Sequence, residues 1–319
     1  MTRYVVGIDL GGTKIATCLM DEEGCIVKKI ILPTLASEGP EAVIGRMKAS
    51  VYEVMKQAKV DRKSILAVGV GSPGPMDSEK GIIKNPPNLP GWIQIPLKNI
   101  LWDEFKLPIA LENDANAAAL GENLYGSGKS AKNFMYITVS TGIGGGVVVN
   151  GKLFKGANGN AAEIGHTTIN FQGPRCGCGN MGCWEAYASG SALARFAGEG
   201  IKNGRKTAIT EIACDENIKA EHVFTAAKQG DDYAKELVDR EGYYLGVGLA
   251  NMINSFNPDS IAIGGGVTNE WDLFSDRMLE VMEERALKAN LENLKVIKAT
   301  LGSDVGIMGA AAAAWEICR

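Results

Sequence analysis

The first seventy residues alternate between short apolar stretches and compact polar or glycine-containing turns. Tyr4–Leu10, Lys14–Met20 and Ile26–Leu32 are predicted as three strands joined by tight turns, which gives a meander. After Pro40, apolar residues recur every three or four positions to about residue 58, which predicts a helix. Ile65–Val70 predicts a fourth strand. The chain therefore begins with strands and one helix.

The next stretch is less regular. Prolines and glycines crowd residues 81–98, which predicts a long ordered loop rather than a helix or strand. Ile109–Leu111 is predicted as a short strand. A helix is then predicted from Asp114 or Ala115 to about Tyr125.

The opening pattern then recurs about 130 residues further on. Phe134–Val139 predicts a strand, Ser140–Gly144 a glycine turn, and Gly145–Val149 a second strand. Asn150 and Gly151 form a predicted hairpin turn before a third strand that begins at Leu153. Two copies of one pattern indicate an internal duplication and hence two similar lobes.

Past residue 190 the pattern is mostly helical. The predicted elements are helices over 236–256, 272–290 and 307–317, and strands over Ser260–Ile263 and 295–300. Strands mixed with helices in both halves predict an α/β protein with two lobes, each with a mixed sheet flanked by helices.

Composition narrows the classes of partner. The formal net charge is −4, and no basic block or stripe indicates a surface for nucleic acid. No apolar run approaches the length of a membrane span, and Asp9 interrupts the place where a signal peptide would be apolar. Seven cysteines, an odd number, indicate reduced thiols. We therefore expect a cytoplasmic protein that binds neither nucleic acid nor membrane.

Glycine is unusually abundant, with 40 residues among 319 against a usual share of roughly 7%. Three glycine turns each follow an apolar strand: Asp9–Thr13, Ser140–Gly146 and Gly264–Gly266. Successive amides in such turns form concave anion sites that a phosphate can approach closely. One such turn alone is an ordinary hairpin, but three together favour a phosphate ligand. Asp9 beside the first turn could hold Mg²⁺.

Two common phosphate-binding motifs are absent from the sequence. The pattern G-x-x-x-x-G-K-[ST] does not occur, and Gly142-x-Gly144 leads into a strand rather than a helix. The three turns are therefore predicted to be neither a P-loop nor a Rossmann site.

A second cluster carries metal-ligand chemistry. His166 is followed by Cys176, Cys178 and Cys183, with glycines between them that let a short loop wrap an ion. Three thiolates and one imidazole suit tetrahedral zinc, and the closed set predicts a structural site. Glu163 and Glu185 flank the cluster, either as plain surface charges or as carboxylates that the loop holds in place.

Asp114 follows Glu112 and Asn113 where a strand meets a helix. Asp and Asn are ordinary N-cap residues, so spacing alone favours a capping role here.

Taken together, these motifs resemble the ROK family of bacterial sugar kinases, over the whole chain. Asp9–Lys14 and Ser140–Gly146 match the two phosphate motifs, Gly264–Gly266 resembles the adenosine-side motif, and Gly302–Gly309 matches the C-terminal motif. The most specific match is Glu163-Ile-Gly-His166 followed by the cysteine run to Glu185. Within the family, the segment Pro87–Trp92 is similar to glucokinase members.

The resemblance implies a fold and a division into lobes. The fold would be of the ribonuclease H-like and actin-like ATPase type, with a cleft between the lobes. Residues 1–113 with 305–319 would form a small lobe, and residues 114–304 a large lobe with the zinc loop at 166–183.

The resemblance also implies an activity, which is ATP-dependent phosphorylation of a hexose at its 6-hydroxyl, as in glycolysis. Asp114 would be the general base. The sugar contacts would be Asn88, Asn113, Asp114, Glu163, His166 and Glu185. ATP would bind at Asp9, Gly11, Gly12, Thr13, Thr141, Gly142, Gly144, Gly264 and Gly265. Asp9 would help to hold Mg²⁺, and His166 would use one ring nitrogen on zinc and the other on the sugar. Lys14 matches the motif without an assigned role.

The expected substrate is glucose, with fructose, N-acetylmannosamine or allose as alternatives within the same chemistry. A sugar-sensing repressor is a further alternative, which the negative charge and the position of the first strand at Tyr4 disfavour. An actin-like or Hsp70-like ATPase is disfavoured by the predicted zinc loop. Family members are often dimers or tetramers, so a homo-oligomer is expected.

Overall fold

The computed structural model describes residues 2–157, 159–214 and 216–318. Its strands are β1 (Tyr4–Leu10), β2 (Lys14–Asp21), β3 (Ile26–Pro33), β4 (Ile65–Ser72), β5 (Met76–Asp77), β6 (Ile82–Ile83), β7 (Ile109–Asn113), β8 (Phe134–Val139), β9 (Ile143–Val149), β10 (Lys152–Leu153), β11 (Ser260–Gly264) and β12 (Lys295–Lys298). Its α-helices are α1 (Pro40–Ala58), α2 (Leu97–Phe105), α3 (Asp114–Tyr125), α4 (Glu185–Ala188), α5 (Gly190–Lys202), α6 (Ile209–Ala213), α7 (Ala220–Lys228), α8 (Asp232–Phe256), α9 (Trp271–Arg285) and α10 (Val305–Glu316).

Two five-stranded sheets share one topology. The first has the order β3-β2-β1-β4-β7, and the second has the order β10-β9-β8-β11-β12. In the first sheet, β1 runs antiparallel to β2 and parallel to β4. If β8 is counted as the first strand of the second sheet, both sheets follow the order third, second, first, fourth, fifth. This match confirms the α/β class and the repeated strand pattern that the sequence predicts.

The residues group into two compact units. Unit 1 comprises Met1–Tyr136, Gly146–Ala162 and Ala299–Arg319, and unit 2 comprises Ile137–Gly145 and Glu163–Lys298. These bounds differ from the lobes expected from the sequence, because α3 packs against α10 within unit 1. The division into lobes with the expected bounds stays a prediction.

Unit 1 is layered around its sheet. Alternate residues of β1 point to opposite faces. Val6, Ile8 and Leu10 pack with apolar residues of α1, whereas Val5 packs with α10. A Cβ at Gly7 would collide with the carbonyl of Ile307, so α10 lies with its backbone directly on the sheet. Alanines fill much of α10 because larger side chains would prevent this approach.

Unit 2 is built mainly from helices around its part of the second sheet. The long helix α8 packs against α9, α7, α5 and α4. Trp184 is fully buried, and its indole Nε1 donates a hydrogen bond to the carbonyl of Tyr244 in α8 (2.9 Å). Trp184 thereby fixes the start of α4, which carries Glu185.

Several predicted bounds were wrong in detail, since α8 begins at Asp232, β12 ends at Lys298 and α10 begins at Val305. Residues 81–98 are not one loop, since β6 pairs with β5 and Leu97 begins α2 directly after Pro96. The helix predicted over 272–290 ends at Arg285, because Ala286 has an extended backbone (ψ 149°) and Lys288–Asn290 form a separate 3-10 turn.

No helix among the described residues has both the length and the apolar character needed to cross a bilayer.

Candidate functional site

Asp9 lies near the end of β1, where the first glycine turn begins. The Gly11 amide donates to the carbonyl of Lys14 (2.9 Å), which closes the turn between β1 and β2. A Cβ added at Gly306 would lie 2.5 Å from Asp9 Oδ2, so the absence of a side chain there lets α10 begin against the carboxylate. Burial raises the pKa of the Asp9 carboxyl, and the charge of Lys14 opposes that shift. The arrangement places a carboxylate oxygen that could bind a cation beside backbone amides that could bind a phosphate.

Asn88 is brought to the same turn by the loop that precedes α2. A Cβ at Gly12 would lie 2.9 Å from the carbonyl oxygen of Asn88, so the two backbones are in contact. Unit 1 therefore joins one predicted sugar contact to the first predicted phosphate turn.

The capping role at the start of α3 belongs to Asn113. Its Oδ1 accepts hydrogen bonds from the amides of Ala115 (2.9 Å) and Asn116 (3.4 Å). Asp114 is the first residue of the helix itself, and its Oδ1 lies 2.8 Å from the Ala115 amide. The positive end of the helix dipole favours an ionised carboxylate at such a position. The prediction that an N-cap lies at this junction is thus confirmed, but the capping residue is Asn113 rather than Asp114.

An ion pair next to this junction was missed by the sequence analysis. Glu112 is buried, and its Oε1 is paired with the ammonium of Lys155. Within the part of the chain that the structure describes, Glu112 Oε2 has no hydrogen-bond partner. Burial raises the pKa of the Glu112 carboxyl, and Lys155 opposes this. No local motif could reveal a contact between residues 43 positions apart.

In unit 2, the second and third glycine turns lie side by side. Gly265 has φ 95°, and a Cβ there would collide with the carbonyl of Val139 at the end of β8. The Ser140 amide donates to the carbonyl of Gly142 (2.9 Å), which closes the second turn. Thr141, Gly142 and Gly144 are thereby placed in one turn.

A cavity of about 540 Å³ opens beside these two turns. Its wall includes Ser140, Thr141, Gly190, Ser191, Gly266 and Asn269. Lys219, Glu221 and Glu270 add charged groups to the wall. The cavity has the size of a small-molecule site, and polar backbone groups lie at one end of it.

The four predicted metal ligands converge. One ligand atom from each of His166, Cys176, Cys178 and Cys183 lies within 4.8 Å of all the others. His166 turns Nδ1 toward the cluster, 3.6 Å from Cys176 Sγ, and Cys178 Sγ lies 3.7 Å from Cys183 Sγ. The donor set therefore fits a tetrahedral zinc ion, and Nε2 of His166 is left for another partner.

The thiols of the cluster differ in acidity when no cation is present. The backbone amide of Asn180 lowers the pKa of Cys178, whereas burial raises the pKa of Cys176 and raises that of Cys183 to about 12. A bound cation would favour the thiolate form of all three, so metal binding and proton release are coupled.

Glu185 connects the cluster to the second glycine turn. Its Oε2 accepts a hydrogen bond from the Ile143 amide (2.9 Å). Its Oε1 lies 3.7 Å from Cys176 Sγ and 4.0 Å from His166 Nδ1. Glu163 immediately precedes the 3-10 turn Ile164–His166. Glu185 is therefore held in place by the loop, whereas the Glu163 side chain is exposed and its role stays a prediction.

Comparison with known proteins decides the family, since the sequence model of the ROK family matches residues 5–317. The chain is a member of the ROK family. The glucokinase of Thermotoga maritima is 38% identical over 96% of this ROK chain and 96% of its own length. The xylose repressor of Caldicellulosiruptor bescii is 33% identical over 96% of this chain and 76% of its own length.

A solved ROK structure supports the fold over its whole length. The ROK family glucokinase from Streptomyces griseus, in complex with glucose and AMPPNP, has a TM-score of 0.80 and 34% identity. The likeness covers 98% of this chain and 99% of that one. It confirms the fold class that the motifs imply.

Proposed function

We propose that this ROK protein is an ATP-dependent kinase that transfers the γ-phosphoryl group to the 6-hydroxyl of glucose. The observation that carries the proposal is its full-length likeness to the Streptomyces griseus protein, whose structure holds glucose and AMPPNP together. The glucokinase of Thermotoga maritima supports the same substrate. Glucose 6-phosphate and ADP are the products.

Asp114 is the proposed general base. It takes the proton of the 6-hydroxyl as that oxygen attacks the γ-phosphorus and the bond to ADP breaks. Its place at the first residue of α3, directly after the proposed sugar contact Asn113, supports this role. Phosphoryl transfer otherwise depends mainly on positioning and charge stabilisation.

The sugar is proposed to contact Asn88, Asn113, Asp114, Glu163, His166 and Glu185. Asn113 uses its side-chain oxygen to cap α3, so its amide nitrogen is the atom available to donate to a sugar hydroxyl. His166 turns Nδ1 to the cluster, which leaves Nε2 to face the sugar. A structural Zn²⁺ ion held by Cys176, Cys178, Cys183 and His166 would fix the ring direction.

The nucleotide is proposed to bind the glycine turns and the cavity beside them. The amides of the glycine turns would hold the phosphates, and in unit 2 the adenosine would enter the cavity of about 540 Å³ next to the third turn. The proposed contacts are Asp9, Gly11, Gly12, Thr13, Thr141, Gly142, Gly144, Gly264 and Gly265. Mg²⁺ near Asp9 would neutralise charge on the phosphates.

We also propose that the protein is a cytoplasmic homo-oligomer, either a dimer or a tetramer.

A coupled assay for ADP release tests the proposal. Purified protein is supplied with ATP and a panel of hexoses, with and without Mg²⁺. We expect Mg²⁺-dependent release with the highest kcat/KM for glucose. A higher value for fructose, N-acetylmannosamine or allose would replace glucose as the substrate. Glucose binding without release of ADP would overturn the kinase proposal and favour a sugar-sensing regulator.

A further inference from the structure

The carboxylate of Glu185 touches two different parts of unit 2. One oxygen accepts the hydrogen bond from the Ile143 amide in the second glycine turn. The other oxygen lies beside Cys176 and His166 in the cluster. The side chain is one-quarter exposed, so solvent screens these contacts only in part. Glu185 also follows the metal ligand Cys183 by two residues, so the chain ties its carboxylate to the cluster while the Ile143 hydrogen bond ties it to the proposed phosphate turn.

The chain segment that carries the cluster also contacts the turn through its backbone. Gly165, which precedes His166, lies against the carbonyl of Ile143, where any Cβ would collide. Beyond the cluster, the Gly190 amide donates to the carbonyl of Ser140 (2.8 Å). The cluster segment therefore meets the turn at both of its ends.

Ile143 lies where the turn passes into β9, and both of its backbone polar groups meet the cluster segment. The turn closes on itself through the bond from the Ser140 amide to the Gly142 carbonyl. The Ile143 amide donates to the Glu185 carboxylate, and the Ile143 carbonyl packs against Gly165. The cluster segment therefore contacts both peptide groups that flank the Ile143 Cα, so a shift of that segment should shift the turn.

We propose that the metal cluster, acting through Glu185, positions the second glycine turn for nucleotide. Glu185 is then a positioning residue for ATP in addition to its proposed sugar contact. Loss of the metal or of the Glu185 oxygen weakens nucleotide binding even when no sugar is present. This inference rests on the proposed function, because it takes the turn to be a phosphate site.

Two substitutions at Glu185 test whether its hydrogen bond to the Ile143 amide supports nucleotide binding. Glu185→Gln keeps an oxygen that can accept the Ile143 hydrogen bond, whereas Glu185→Ala removes it. Binding of Mg²⁺–AMPPNP without sugar is measured by calorimetry. We expect Glu185→Ala to weaken binding by about tenfold, the size of one charge-assisted hydrogen bond, and Glu185→Gln to weaken it by only about threefold, because a neutral hydrogen bond is roughly half as strong. Equal effects of the two variants, or no effect of either, would overturn the proposal.

Glu163→Ala is the matched control. Glu163 is also a proposed sugar contact in the cluster segment, but it is separated from the turn by the residues that follow it. It should weaken glucose binding and leave the affinity for Mg²⁺–AMPPNP unchanged. A loss of nucleotide affinity as large as that of Glu185→Ala would overturn the specific role of Glu185.

Removal and restoration of the metal test the contribution of the cluster itself. The protein is stripped with a chelator and then reloaded with Zn²⁺, and AMPPNP binding is measured in each state. We expect weaker binding when stripped and recovery on reloading, and unchanged nucleotide affinity in the stripped, folded protein would overturn the proposal. If removal of the metal unfolds the protein, the affinity of metal-loaded Glu185→Ala for Mg²⁺–AMPPNP still tests the proposal. Failure of the wild-type protein to bind AMPPNP would instead refute the proposed function.

Discussion

The ion pair of Glu112 and Lys155, next to Asp114, allows a prediction of how much one buried charge contributes to the free energy of unfolding. The Glu112 side chain is 5% exposed, whereas that of Lys155 is 39% exposed. Breaking a fully buried pair costs about 3–5 kcal/mol, and breaking an exposed pair costs about 0–1 kcal/mol. Because only one partner is buried, we expect Lys155→Met to lower the free energy of unfolding by about 2 kcal/mol at pH 8.

The cost should depend on pH in a defined direction. Burial already raises the pKa of Glu112, and removal of Lys155 takes away the larger of the two charges that oppose this shift, leaving that of Lys98. The folded variant then binds more protons than the unfolded chain, so its stability falls as pH rises through the raised pKa. Lys155→Met should therefore cost least at acidic pH, where protonation of Glu112 removes the buried charge, and most near pH 8.

Urea denaturation of matched variants measures this cost. Lys155→Arg should retain most of the stability, and the double variant Lys155→Met with Glu112→Met should recover most of the loss, since apolar residues often replace a buried pair without penalty. Lys106→Met breaks the pair with Asp103, in which both side chains are more than 60% exposed, and serves as the control. The reasoning fails if Lys155→Met costs no more than Lys106→Met at pH 8, or if the double variant is no better than the single one.

Three further predictions address other sites. Asp114→Asn should keep glucose affinity but lose about 10²–10⁴-fold in turnover, and near-normal ADP release would remove Asp114 from the role of base. Gly306→Ala should displace the Asp9 carboxylate and raise the Mg²⁺ concentration needed for activity, whereas Gly45→Ala, with open space around it in α1, should not. Burial raises the pKa of Glu241 well above its ordinary value, so wild-type stability should fall with rising pH by up to about 1.4 kcal/mol per unit. Glu241→Gln should flatten that slope, as thermal unfolding at several pH values would show.

Local patterns predicted much of the fold because strands and turns have short-range signals. The predicted bounds of Tyr4–Leu10 and Phe134–Val139 are those observed. The repeat of strands predicted an internal duplication, and the two sheets share one strand order. Helix α2 was missed because the prolines just before it suggested a loop, although a helix can begin directly after Pro96. The helix over 272–290 was predicted too long, since helical spacing says little about where a helix frays.

The residues of the site also divide into those that local spacing predicts and those that only the fold brings together. Cys176, Cys178 and Cys183 lie close together in sequence, so their spacing alone predicted a cluster that the fold brings together. Zinc binding itself stays a prediction, as do the proposed contacts to sugar and ATP. Long-range placements, such as Gly306 against Asp9, depend on how α10 packs and have no signal in local spacing.

The position of α10 on the sheet of unit 1 has a consequence for synthesis of the protein. Strands β1 and β4 are made first, but the helix that covers one of their faces begins only at Val305. At about 5–20 residues per second, the ribosome needs roughly 10–40 s to pass from the end of β7, the last strand of that sheet, to the helix. During this interval the face that carries Gly7 is uncovered, although its partner strands already exist. Unit 1 is therefore completed last despite starting first, and a chain interrupted before Val305 should be a target for chaperones and proteases.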